Sequence, residues 1–202
     1  MISKSAVAIC GIALAAFALP AAAQMSMSNL YLGGSIGQSK AKDACEGATT
    51  SCDDKDTSWR LFAGYQFNPN LAIEAGYADL GKATASGVVS GVNLSEKFEA
   101  SAWDLVAVGI LPLGSQFSIY GKLGVYYGEV KGSATATLGG VSASASDKDT
   151  NTDLTFGLGA AFDINRNFGV RAEYQKYKDM GGSNVGKSDV DVLSIGLLYR
   201  FR

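Results

Sequence analysis

From Leu193 to Phe201 every second residue is large and apolar: Leu193, Ile195, Leu197, Tyr199 and Phe201. The residues between them are mostly small or polar (Ser194, Gly196, Arg200), with Leu198 the exception. Alternation at period two describes an extended strand with one apolar face. About ten such residues ending in aromatics have the length of a strand that crosses an outer membrane.

The other end of the chain is consistent with export. Lys4 precedes an uncharged, Ala-rich run over 6–19, followed by Pro20 and Ala21-Ala22-Ala23. A positive n-region, an apolar h-region and an A-x-A site predict a secretory signal peptide over 1–23. A membrane helix is disfavoured because the run is short and ends at the cleavage signal. Cys10 lacks the preceding small residue of a lipoprotein anchor. Residues 24–202 are expected to form one domain.

Processing removes only Lys4 among the charges, leaving 16 basic against 19 acidic residues, a net charge of −3. That balance excludes a strongly basic nucleic-acid binder. Hydrophobic residues make up 47% of the chain, yet after Gln24 no apolar run approaches the roughly 18 residues of a membrane helix. The hydrophobicity is instead spread at period two, in eight segments: about 30–37, 58–67, 71–79, 101–113, 117–130, 153–164, 168–176 and the C-terminal one. A soluble β-sandwich or a lipocalin could share this composition, so the connections have to decide.

They alternate in length. Asn68-Pro69-Asn70, Gly114-Ser115-Gln116 and Asn165-Arg166-Asn167 read as tight turns. Between them lie long polar stretches at about 38–57, 80–100, 131–152 and 177–189. Short turns at one end and long loops at the other mark an outer-membrane barrel. The third stretch carries Gly139-Gly140 amid alternating Ser, Thr and Ala, and predicts a hairpin that extends beyond the membrane. Phe67, Phe117, Phe162, Phe168, Tyr199 and Phe201 fall beside the short turns. Trp59, Tyr77, Trp103, Tyr127 and Tyr174 fall toward the long loops, as two interfacial girdles would. The expected fold is all-β: an eight-stranded antiparallel up-and-down transmembrane β-barrel with both mature termini in the periplasm and the long loops extracellular.

Cys45 and Cys52 are expected to form a disulfide in the first long loop, because an exported chain meets an oxidising compartment. The face opposite the apolar one carries Arg60, Glu74, Asp104, Lys122, Arg171 and Glu173. In a narrow barrel these charges should pair. They could form a structural network filling a closed lumen or, alternatively, a gate on a narrow ion path. Residues 181–188 (Gly-Gly-Ser-Asn-Val-Gly-Lys-Ser) formally match a phosphate-binding loop, but that loop needs a following helix where a strand is expected here. Gly157-x-Gly159 is an equally weak echo of a dinucleotide loop. The chain has no His, so the usual general base of hydrolytic sites is missing and no enzyme, cofactor or metal site is expected.

Several motifs resemble the membrane domain of the OmpA family. They are the 64–77 segment (Gly-Tyr-Gln-Phe-Asn-Pro-Asn-Leu-Ala-Ile-Glu-Ala-Gly-Tyr), and the segments 119–124, 171–175 and 193–201. The resemblance covers nearly all of the mature chain and implies that Glu74 lies opposite Arg171. It implies that the terminal aromatics, Tyr199 and Phe201, act as the signal for the barrel-assembly machinery, although the chain runs one residue past Phe201. The family's periplasmic peptidoglycan-binding domain has no counterpart, so wall anchoring is not expected. The function expected is a non-enzymatic structural and surface-interaction barrel. Its partners would be outer-membrane lipid, lipopolysaccharide and an extracellular ligand, with no nucleic acid among them. The alternatives are a small porin-like channel gated by Glu74, Arg171, Lys122 and Glu173, and a periplasmic β-barrel binding a small apolar ligand.

Overall fold

The computed structural model describes residues 29–42, 51–89, 92–138, 141–182 and 186–201. The signal segment and Cys45 lie outside the described residues, and so does the side chain of Cys52.

Nine strands are present: β1 Leu30–Ala41, β2 Ser51–Asp53, β3 Lys55–Asn68, β4 Leu71–Val89, β5 Val92–Pro112, β6 Phe117–Leu138, β7 Val141–Asp163, β8 Phe168–Gly182 and β9 Gly186–Arg200. Except for β2, each pairs antiparallel with its neighbours in sequence, and β1 pairs with β9. The eight long strands therefore close into a ring, which leaves no edge inside lipid. Short β2 lies outside that ring and adds to the outer end of β4.

Turn chemistry fixes one end. The Asn70 N–H donates to Asn68 Oδ1 at 2.9 Å, and Asn165 Oδ1 accepts from the N–H groups of Asn167 and Phe168. These side chains close the tight turns that the sequence predicts there.

Side-chain polarity is inverted relative to a soluble domain. Leu158, Leu193 and Ile195 point outward at 67–69% exposure, and Trp103, Leu123 and Leu197 are similarly bare. The ten steps from Phe117 to Tyr127 on β6 span about 33 Å of strand, or roughly 25 Å of height at a tilt near 40°. That is the apolar band of an outer-membrane barrel. Trp59, Tyr77 and Trp103 pack with tilted rings along its hairpin end, with ring centroids 5.6 and 5.0 Å apart. Phe168, Tyr199 and Phe201 pack edge-on at the turn end.

Two of the long connections depart from the sequence reading, while the third keeps the hairpin expected there. Residues 80–100, 131–152 and 177–189 are largely strand, and β6 and β7 stay in register out to Leu138 and Val141. Two effects hide these strands. Beyond the membrane both faces meet water, so Ser, Thr and Ala replace the apolar alternation. Register shifts at Asp79/Lys82 and Tyr177/Met180 also break the period. At the first shift Gly81 adopts φ +78°, and a Cβ there would sit 2.7 Å from the Thr57 carbonyl oxygen. The inserted residue turns both Leu80 and Ala83 inward.

Candidate functional site

Two apolar clusters fill the barrel. Tyr31, Phe62, Ala72, Val106, Val108, Tyr120, Ala161 and Leu198 pack toward the turn end. Ala78, Leu80, Ala102, Tyr126, Val130, Tyr177, Met180, Val190 and Val192 pack toward the hairpin end. Between them the structure brings together all six lumen charges named from the sequence. Among the described residues, these six are the charged side chains that are buried.

Glu74 on β4 is the centre. Its Oε1 accepts from Arg171 Nη1 at 2.9 Å and from the Tyr31 hydroxyl at 3.0 Å. Its Oε2 accepts from Lys122 Nζ at 2.7 Å and from Arg60 Nη1 at 3.4 Å. Lys122 also reaches Glu173 Oε2 at 2.7 Å, to which the Tyr120 hydroxyl donates at 2.7 Å. Arg60 holds Asp104 through Nε, at 2.8 Å, and through Nη2, and the Tyr177 hydroxyl caps the same carboxylate at 3.2 Å. A two-pronged guanidinium–carboxylate fork of this kind fixes orientation as well as charge.

Three cations face three anions, so the network is neutral. Arg171 is its least satisfied member. Its guanidinium lies 3.6 Å from the Phe62 ring centroid, while its Nε and Nη2 make no hydrogen bond among the described residues. Glycine makes room for the network's hydroxyl donors: a Cβ at Gly64 would fall 2.1 Å from the Tyr31 ring.

Sequence reasoning missed these donors, Tyr31, Tyr120 and Tyr177, along with the stacking ring of Phe62. Alternation did carry the signal for Tyr31, Tyr120 and Phe62, each of which sits between outward-facing residues. Tyr177 keeps the same phase, two residues beyond Gln175 and just before the register shift.

Among the described residues the lumen holds separate cavities. A vestibule of about 220 Å³ opens at the turn end beside Tyr31, Arg171 and Arg200. A cup of about 240 Å³ opens at the hairpin end, lined by Leu80, Phe98, Val130, Met180 and Val190. A small cavity of about 10 Å³ lies between them, beside Ser58, Arg60, Glu173 and Tyr177, with room for no more than about one water. Among the described residues no cluster of His, Cys, Asp and Glu is placed to share a metal ion. Residues 181–182 and 186–188 lie in β8 and β9, so strand stands where a phosphate-binding loop would need its helix.

Residues 25–202 match the family model described as the OmpA-like transmembrane domain. Outer membrane protein A of Yersinia pseudotuberculosis is 32% identical over 206 residues, covering 98% of this chain and 55% of that protein. The chain thus spans about half the length of the curated relatives it matches. Among solved structures, Ail of Yersinia pestis superposes with a TM-score of 0.53 at 20% identity, over 85% of this chain and 97% of that one. Neisserial surface protein A gives 0.52 at 20% identity, over 86% and 98%. Both are likenesses of fold.

Proposed function

The chain belongs to the OmpA-like transmembrane-domain family, and on that premise we propose that it is a sealed, non-enzymatic membrane anchor that presents its long hairpins at the cell surface. It is an integral outer-membrane β-barrel. The observation that carries the surface role is the β6–β7 hairpin. Its strands remain paired from Gly128↔Asn151 to Leu138↔Val141, about 36 Å of strand beyond the aromatic girdle. Closing a barrel does not require such a projection; reaching something outside the membrane does.

The lumen supports an anchoring role. Its charges neutralise one another, and apolar clusters pack on both sides of the network. Lipopolysaccharide around the barrel, the assembly machinery acting on Tyr199 and Phe201, and an extracellular ligand for the hairpins complete the proposal. So do export by the segment 1–23 and a Cys45–Cys52 disulfide.

The test compares cells with and without the protein for surface binding to host-like matrices and for uptake of small hydrophilic solutes. Altered binding with unchanged uptake is the expected result. Altered uptake with unchanged binding would instead favour a small channel gated by the Glu74 network.

A further inference from the structure

We propose that the outward face of the β4–β7 hairpins binds the phosphorylated head group of the outer-leaflet glycolipid. This rests on the reading that the hairpin end lies outside the cell. Lys82, Glu99, Lys131 and Lys148 stand in one cross-strand row, through the pairings Lys82↔Glu99, Glu99↔Lys131 and Lys131↔Lys148. Lys97 stands one row further out, opposite Ser133, which is itself opposite Ser146. The first row is four residues beyond the girdle residues Trp103 and Tyr127 on the same strands, or about 13 Å of strand. That is head-group depth, directly above the lipid-facing wall.

The charge on this face is unbalanced. Lys82 and Lys97 share Glu99 at 3.5 and 2.9 Å, and Lys131 and Lys148 share Glu129 at 3.2 and 2.7 Å. Asp79 stands in the same outward row as Glu129, through Asp79↔Ser101 and Ser101↔Glu129, so four ammonium groups face three carboxylates and leave an excess of one positive charge. The lysine side chains remain 46–59% exposed. An open cleft of about 440 Å³ lies between Lys97, Lys131 and Lys148, with Ser133, Ser146 and Asp147 also lining it.

Alternation then sorts charge by face. Asp149 pairs opposite Val130 and Asp147 opposite Gly132, on the rows that face the barrel mouth, while Lys148 between them takes the outward row. Glu96 and Lys97 divide in the same way on β5. Elsewhere on the rim Lys40, Lys42, Lys176 and Lys178 are paired with Asp54, Asp191, Asp189 and Asp179. The lysine excess therefore belongs to one side of the barrel and points toward lipid, where the anions are the phosphates of the glycolipid head group.

At an anionic membrane surface each lysine contributes about fivefold in binding, so one excess charge gives roughly fivefold. The test incorporates the protein into phosphatidylcholine nanodiscs and titrates them with fluorescent bisphosphorylated lipid A or its dephosphorylated form. Energy transfer from the tryptophans, including Trp103 beneath the row, reports binding. Wild type should prefer the phosphorylated lipid. The variant K82Q/K97Q/K131Q/K148Q should lose that preference by about fivefold or more, and the corresponding four-arginine variant should keep it.

A cold-SDS gel shift confirms that each variant is folded. Equal binding of the two lipids by folded wild type, or wild-type affinity in the folded glutamine variant, would overturn the site and leave the surface-barrel reading standing. Absence of the gel shift in wild type would overturn both. If the glutamine variant lost heparin binding while its lipid A binding stayed unchanged, the row would belong to a soluble polyanion and the lipid assignment would fall.

Discussion

Replacing Glu74 by Ala removes the carboxylate that four donors share. Lys122 keeps Glu173, and Arg60 keeps Asp104. Arg171 keeps only a 3.5 Å approach to Glu173 and becomes the stranded cation. Three buried cations would then face two anions. Breaking a buried pair by removing one partner costs about 3–5 kcal/mol, and the loss of every short Glu74 contact places this substitution near 4 kcal/mol. Arg171→Ala is milder, about 2 kcal/mol, because Glu74 retains Lys122, Arg60 and Tyr31 and the loss is one pair plus packing on Phe62. The double variant restores neutrality and should cost about 4 kcal/mol, leaving a coupling of about 2 kcal/mol. The assay is urea unfolding from lipid vesicles. It is followed by the fluorescence of Trp59 and Trp103, the chain's two tryptophans, which both lie in the outer girdle and report departure from lipid. A double variant whose cost equals the sum of the singles within about 0.5 kcal/mol would show that the two residues do not interact.

Arg at Leu158, in the middle of the lipid-facing band and 69% exposed, should cost about 2–4 kcal/mol in the same assay, whereas Ser133→Arg beyond the girdle should cost almost nothing. Gly81→Ala places a side chain at φ +78° against the Thr57 carbonyl and should lower stability by about 1–2 kcal/mol; an unchanged urea midpoint would show that the bulge relaxes freely. Mass spectrometry of the unreduced mature protein should find the Cys45 and Cys52 peptides joined and lighter by two hydrogens, and Cys45→Ser should still assemble because the sequence puts the pair in the first long connection. The Glu129 carboxyl, hydrogen-bonded by Lys148 and Lys131, is held below the ordinary glutamate range. Its folded value lies below its unfolded one, so its support of the β6–β7 hairpin is complete above that range and lost as pH falls through the lowered value. An NMR titration showing Glu129 at or above the ordinary range would refute this.

The membrane-embedded part was legible because lipid enforces a strict rule. Alternation of Trp59, Leu61, Ala63 and Tyr65 against Arg60, Phe62 and Gly64 is fixed by the two faces of one strand, and the Asn-rich turns mark where it reverses. The same rule led to the six buried charges, since a charged side chain on an inward row has no other place to go. Their partners were less legible. That Lys122 bridges Glu74 and Glu173 while Arg60 takes Asp104 depends on strand stagger and side-chain length, which no single strand records. The outer strands were less legible for the opposite reason: with water on both sides, nothing selects an apolar face, so residues 80–100 and 177–189 read as loop although they are largely strand, and only the Gly-Gly turn amid small alternating residues marked the β6–β7 hairpin. The lysine row is a property of register alone, since Lys82, Lys131 and Lys148 become neighbours only when four strands are aligned.

The sealed lumen is tested most directly by planar-bilayer recording of the purified, refolded wild-type protein. No stable conductance steps are expected, because the buried charge layer between vestibule and cup holds a cavity of only about 10 Å³ beside Arg60 and Glu173. Steps are expected to appear once Glu74→Ala breaks the network. Reproducible ohmic steps in the wild-type protein at the same frequency as in the variant would contradict a sealed lumen.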